Sequence, residues 1–261
     1  MRASFSGFRV VPADTSCVAQ GDTEVRYVSE DGDPVVSSLG EVAADRVVVG
    51  RPVRRVRSYS GQRHYAGLYW SSTTRGHTVY ESRLELQRLM LADFAPDVDW
   101  IAPQPMWLSG PDAGIVRKHV PDLLLRLRGG RFLVVDVKPA QFAARPEVAA
   151  VFAWTQRLCS ARGWAYEVWT GEAPVVMKNV EFLARGRRHE FIDAEALEVV
   201  RGVATDGMTV GQIETESARR GAAVTSLRPA LLAMLWAGEW SVDLREPLSR
   251  GSTVHRGARQ S

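Results

Sequence analysis

Two aspartates and a lysine fall within one short stretch, VPDLLLRLRGGRFLVVDVKPA at residues 120–140. Hydrolysis of a phosphodiester requires three things: charge on the scissile phosphate must be neutralised, a water must become nucleophilic near neutral pH, and the leaving oxygen must be stabilised. A carboxylate-bound Mg²⁺ supplies all three together. Asp122 and Asp136 are the natural carboxylates for such an ion, and Mn²⁺ is expected to substitute for Mg²⁺. Lys138, two residues past Asp136, is placed to orient the attacking water or to offset charge beside the phosphate. Room remains for a third acidic ligand. Glu85 is the first choice and Glu81, one turn earlier, the fallback. An Asp-x-Lys triplet alone carries almost no information, and Pro-Asp before a strand is ordinary turn chemistry. The structural alternative makes the aspartates exposed hairpin residues with Lys138 as a surface partner, an arrangement worth little energy.

The hairpin has to bring these side chains together, and its register decides whether it does. Residues 120–140 read as two strands turning at Gly129-Gly130. A loop of only those two glycines would project the aspartates from opposite faces. A loop of Arg128-Gly129-Gly130, with a glycine at positive φ, pairs Leu127 with Arg131, Leu125 with Leu133, Leu123 with Val135 and Asp122 with Asp136. That register gathers Leu123, Leu125, Leu133, Val135 and Val137 on one face and Asp122, Asp136 and Lys138 on the other. Cβ atoms of directly paired residues lie about 4.5–5.5 Å apart, close enough for two carboxylates to share one cation.

The flanking segments read as mixed α and β elements without internal repeats. Val79–Phe94 has strong helix formers and is closed by Pro96. A strand over Trp100–Leu108, interrupted by Pro103 and Pro105, suits a sheet edge. A helix over Arg145–Ala161 followed by a strand over Trp164–Thr170 suits a crossover connection. Past residue 190, helices over Asp193–Val200, Thr209–Arg220 and Thr225–Trp236, then a strand over Glu239–Leu244, suggest a winged helix-turn-helix. Its second motif helix, TSLRPALLAMLW, offers only Arg228 to base edges, so residues 190–250 are expected to dock a partner or pack on the catalytic domain.

Composition is that of a globular chain of 261 residues, 45% hydrophobic and 24% charged, enough for a full core. No signal-peptide-like run opens it and no stretch of about 18 apolar residues occurs, so a cytoplasmic protein without membrane contact is expected. Cys17 and Cys159 form no CxxC pair, and the five histidines show no ligand spacing. Net charge is only +3, but it is unevenly spread. Residues 1–45 carry eight acids against three arginines and look peripheral. From Arg46 through Tyr80 there is no acid, while Arg46, Arg51, Arg54, Arg55, Arg57, Arg63 and Arg75 supply seven positive charges. Tyr59, Tyr65, Tyr69 and Trp70 are interleaved with them, a pattern suited to double-stranded DNA, with Arg51, Arg54, Arg55, Arg57, Arg63 and Arg75 as the contacts. The bland alternative is a solvated basic hairpin whose aromatics are core. Residues 249–261 read as a disordered basic tail.

Taken together, Glu81-Ser-Arg-Leu-Glu85, Phe94-Ala-Pro-Asp-Val98, Gln104-Pro105, His119-Val-Pro-Asp122 and Val135-Asp-Val-Lys138-Pro-Ala resemble the catalytic domain of TnsA-type transposon endonucleases, of the PD-(D/E)xK superfamily, over roughly residues 55–180. The resemblance implies an α/β, restriction-endonuclease-like mixed sheet flanked by helices. It also implies that Glu85, Asp122 and Asp136 match the acidic metal ligands, with Val137 among the metal-contacting positions and Lys138 as the catalytic lysine. It further implies cleavage of one strand at each transposon end, a separate DDE-type transposase subunit for the other strand, and an AAA+ ATPase regulator. The expected layout is a peripheral region to residue 45, a nuclease domain over 46–185, a winged-helix domain over 190–248 and a tail over 249–261. Two other functions fit the residues: a stand-alone restriction or repair nuclease, and a non-catalytic DNA-binding scaffold.

Overall fold

The computed structural model describes residues 22–54 and 65–257. They belong to a mixed α/β protein whose chain divides into two compact units, residues 22–171 and residues 172–257. No helix among the described residues is long and apolar enough to cross a membrane.

The first unit opens with a hairpin, β1 (Glu24–Val28) and β2 (Pro34–Ser38), followed by a short helix α1 (Ala44–Val48). A second hairpin comprises β3 (Gly67–Ser71) and β4 (Gly76–Tyr80), after which come α2 (Arg83–Phe94) and β5 (Val98–Pro103). The unit continues through β6 (Trp107–Asp112), β7 (Ile115–His119), β8 (Leu123–Leu127) and β9 (Arg131–Val137). It closes with α3 (Ala140–Ala143), α4 (Pro146–Ala161) and β10 (Ala165–Trp169). One four-stranded sheet has the order β2-β1-β6-β7 and the other β10-β9-β8-β5. Among the described residues only β9 and β10 pair in parallel, joined by the crossover through α3 and α4.

Strands β8 and β9 pair in the register set by the three-residue loop, Leu127 with Arg131, Leu125 with Leu133 and Leu123 with Val135. Gly129 and Gly130 both take positive φ, which the turn demands and a side chain would resist. Both faces of this pair are covered. Leu124, Phe132 and Val134 join one core with Val25, Tyr27 and Val47 from the first hairpin and α1, and with Trp154 and Leu158 of α4. On the opposite face lie Leu123, Leu125, Leu133 and Val135, all buried, and Glu167 of β10, which meets Arg88 of α2 at 2.7 Å. Each fully buried leucine or valine contributes about 1.5–3 kcal/mol, so the strands that carry the aspartates are firmly held.

Several expectations need correction. Residues 22–45 are not peripheral, because Val25, Tyr27, Leu39 and Val42 are core residues. The helix expected from Val79 begins at Arg83, and Val79 and Tyr80 instead close β4. The single strand expected over Trp100–Leu108 is two strands in different sheets, with β5 at the edge of its sheet. The break is at Gln104, whose left-handed φ of 44° turns the chain between Pro103 and Pro105.

The second unit contains α5 (Pro174–Leu183), α6 (Ala194–Val203), α7 (Val210–Arg219) and α8 (Val224–Trp236), then the short strands β11 (Trp240–Ser241) and β12 (His255–Arg256). The division near residue 171 places α5 in this unit. Helix α8 is its core, with Leu227 and the run from Ala230 to Trp236 buried and packed on α5, α6 and α7. Residues 249–257 are not a disordered tail. Val254 is fully buried and its N–H bonds the carbonyl of Met208, while β12 pairs with β11 and Thr253 bridges Thr209. One apolar anchor and a set of backbone bonds outweigh the polar composition of this segment.

Candidate active site

Asp122 lies just before β8, at the point where the β8–β9 ladder ends. Its N–H donates to the Val135 carbonyl at 3.1 Å, its carbonyl accepts the N–H of Gln104 at 2.8 Å, and its Oδ2 accepts the N–H of Val137 at 2.7 Å. The side chain thus replaces the next ladder bond, and the residue is riveted to β9 by backbone and carboxylate alike. The direct pairing expected between Asp122 and Asp136 does not occur, since the regular register stops at Leu123 opposite Val135.

The two carboxylates nevertheless sense each other. Burial and then the Asp136 carboxylate push the Asp122 carboxyl up to about 8; the Val137 N–H opposes this, Glu85 adds to it, and Lys138 offsets part of it. All four residues singled out by their chemistry therefore act within one electrostatic neighbourhood. Lys138 is exposed at the end of β9, with its N–H bonded to the Trp169 carbonyl at 3.0 Å.

Glu85 is held at the N-terminus of α2. Ser82 caps α2 by accepting the Glu85 N–H at 3.1 Å, while the Glu85 carboxylate accepts the Glu81 N–H at 2.8 Å and the Ser82 hydroxyl at 2.9 Å. Burial raises its carboxyl above the usual range, with the capping bonds opposing. Its oxygens are thus engaged at the helix end. Among the described residues, no three His, Cys, Asp or Glu side chains form a ready-made metal cage.

The donor set fits a hard divalent ion all the same. Mg²⁺ is commonly held by one or two carboxylates with waters and substrate phosphate completing its shell. A carboxyl raised by a neighbouring acid marks a pair that a shared cation would relieve. Asp122 and Asp136 are the residues that would hold the ion. The N–H of Val137 is committed to Asp122.

Asp136 has partners that the sequence reading did not assign. It is 1% exposed. Nε2 of His119, at the end of β7, lies 2.8 Å from its Oδ1 and 2.9 Å from its Oδ2, and the Tyr166 hydroxyl of β10 donates to Oδ2. The His119 ring meets Phe152 of α4 edge-on, with centroids 6.2 Å apart. Spacing rules for metal-binding histidines could not find this contact, because the two strands involved lie in different sheets; the only cue was that His119 closes the strand leading into Pro121-Asp122.

The basic segment is less uniform than its composition. Nε of Arg51 donates to the Glu30 carbonyl at 2.9 Å, so this arginine serves the β1–β2 turn rather than a free contact surface. The guanidinium of Arg54 sits 5.2 Å from the centroid of the Trp107 ring. Arg75 is exposed at a positive φ of 52° in the β3–β4 turn. Asp93 of α2 holds that turn, accepting from the Tyr69 and Ser71 hydroxyls and from the N–H groups of Ser72 and Thr73 at 2.7–3.0 Å. Tyr69 is core, whereas Tyr65 is exposed. Arg55, Arg57, Arg63 and Tyr59 lie outside the described residues. In the second unit Arg228 pairs with Glu214. Compared with protein-family models and with curated proteins, the chain matches none.

Proposed function

We propose that this protein is a divalent-metal-dependent DNA endonuclease of the PD-(D/E)xK kind, acting as the TnsA-like subunit of a heteromeric transposase that cuts one strand at each transposon end. The observation that carries the reading is the electrostatic convergence of Asp122, Asp136, Glu85 and Lys138 where β8 and β9 part. The restriction-endonuclease-like reading draws on the β9–α4–β10 crossover beside an antiparallel β8 and β5, with α2 supplying the acid that precedes the sheet. The winged-helix reading of the second unit draws on its order of helix, bridge at Thr209, two helices and two short paired strands. Double-stranded DNA is the substrate. A DDE-type transposase and an AAA+ ATPase are the partners that the resemblance implies.

Asp122 and Asp136 would hold Mg²⁺, or Mn²⁺ in its place, and such an ion would supply Lewis-acid neutralisation of the phosphate and a more acidic water. The Lys138 ammonium, exposed beside the two acids, orients the attacking water and offsets charge on the phosphoryl oxygens. The water gives up a proton to solvent as its oxygen bonds to phosphorus, the bond to the leaving oxygen breaks, and that oxygen takes a proton from solvent. Glu85 stabilises the end of α2 and contributes negative charge to the same pocket.

Nicking of supercoiled plasmid bearing transposon ends should require Mg²⁺ or Mn²⁺ and fall at least about 100-fold in Asp122→Asn and Lys138→Ala with circular dichroism unchanged. Undiminished nicking in both variants overturns the assignment. A second reading, a non-catalytic DNA-binding scaffold, is favoured by the burial of Asp136 and its engagement by His119 and Tyr166, which suffice for a purely structural role. Calorimetry showing no Mn²⁺ binding to the wild-type protein decides for it.

A further inference from the structure

The two donors on Asp136 define which of its oxygens faces the site. A carboxylate offers about four lone-pair positions. The His119 Nε2–H is shared between Oδ1 and Oδ2, and the Tyr166 hydroxyl adds a second bond on Oδ2. Oδ2 is therefore filled while Oδ1 keeps a lone pair. The donors come from strands of different sheets, β7 and β10, so they restrain the carboxylate from both sides. Neither donor is itself loose. The His119 ring is 17% exposed and lies against Phe152, and Tyr166 projects from β10 beside Val134, its parallel partner on β9. A buried carboxylate without such donors rotates toward water or takes a proton.

We infer that His119 and Tyr166 are positioning residues that clamp the Asp136 carboxylate and present its Oδ1 to the divalent ion shared with Asp122. The inference rests on the metal-dependent reading above. It assigns the two residues no contact with substrate, water or ion; they act through Asp136. Partners one step behind a metal ligand commonly set metal affinity by about 10–100-fold.

The test measures Mn²⁺ binding to the DNA-free full-length protein by electron paramagnetic resonance titration, alongside the Mn²⁺ dependence of nicking. Tyr166→Phe removes one oxygen and His119→Ala removes the shared donor. Each should weaken Mn²⁺ binding about 10-fold or more, while the nicking rate at saturating Mn²⁺ returns to within about threefold of wild type. His119→Gln keeps an N–H donor and should recover most of the affinity lost in His119→Ala. Should His119→Ala fail to fold, Tyr166→Phe carries the comparison. Unchanged Mn²⁺ affinity in folded Tyr166→Phe, or a loss in His119→Ala that His119→Gln does not recover, overturns the clamp. If the wild-type protein binds no Mn²⁺, or if Asp122→Asn binds it as well as wild type, the metal-dependent reading itself fails; wild-type binding lost only in Asp122→Asn leaves that reading intact and removes the clamp alone.

Discussion

Asp122 carries a large perturbation in the proposed site, and its sign has a consequence for stability. A carboxyl near 3.8 in the unfolded chain and raised to about 8 in the fold binds its proton more tightly when folded. Its contribution to stability is fully present below about pH 4 and is lost as pH rises through about 8. In chelator, the melting temperature should therefore fall from pH 5 to pH 9 more steeply in wild type than in Asp122→Asn. At pH 9 the variant should be the more stable by roughly 1–3 kcal/mol, a figure discounted for the partial exposure of this residue. Adding Mn²⁺ at pH 8 should restore the wild type by about 2.7 kcal/mol at a hundredfold excess over its dissociation constant, and leave the variant unmoved. Differential scanning calorimetry reads both; parallel pH curves for the two proteins would contradict the assignment of the shift to this carboxyl.

At the scale of elements, Glu85 serves both a helix end and a pocket, and substitution can separate the two. Glu85→Gln keeps an acceptor for the Glu81 N–H and the Ser82 hydroxyl, so stability should change by less than about 0.5 kcal/mol while nicking falls, because the pocket loses a negative charge. Ser82→Ala removes the cap itself and should cost about 1 kcal/mol with the rate retained. Urea denaturation and nicking measured on both variants check the separation; a rate loss in Ser82→Ala equal to that in Glu85→Gln would mean that the helix end, not the charge, matters. The same elements show what the sequence made legible. The β8–β9 register followed from two glycines able to take positive φ and from alternating apolar residues, both local properties. The start of α2 did not, since Val79 and Tyr80 favour a strand once Leu68 and Gly67 pair with them across the β3–β4 hairpin. The switch at Gln104 was hidden because a residue preceding proline ordinarily prefers extended backbone, and only the tertiary setting, with its N–H on Asp122 and its carbonyl on Val53, holds it left-handed. The contact of His119 with Asp136 crosses between sheets, and that of Tyr166 comes from the neighbouring parallel strand brought in by the crossover, so no spacing along the chain encodes either.

For the molecule as a whole, the proposed binding of DNA would depend on the distribution of charge. Helix α8, whose sequence offered only Arg228 to base edges, is committed to the core of its own unit, and that arginine is paired with Glu214. Arg51 is tied to the β1–β2 turn. Of the described arginines in the acid-free stretch, Arg54 on Trp107 and Arg75 on the turn pinned by Asp93 present guanidinium groups from fixed backbone. Contacts of this kind go to phosphate, and each releases about one counterion when DNA binds. The logarithm of the binding constant should thus fall linearly with the logarithm of salt concentration. Arg54→Ala and Arg75→Ala should each reduce that slope by about 0.9 and weaken binding alike for transposon-end and unrelated duplexes. Arg228→Ala should change neither slope nor sequence preference, since its charge is spent within the unit. Fluorescence anisotropy across 50–300 mM salt supplies the comparison: an unaltered slope in the first two variants, or a loss of sequence discrimination in the third, would move the DNA-binding face from the β3–β4 turn to α8.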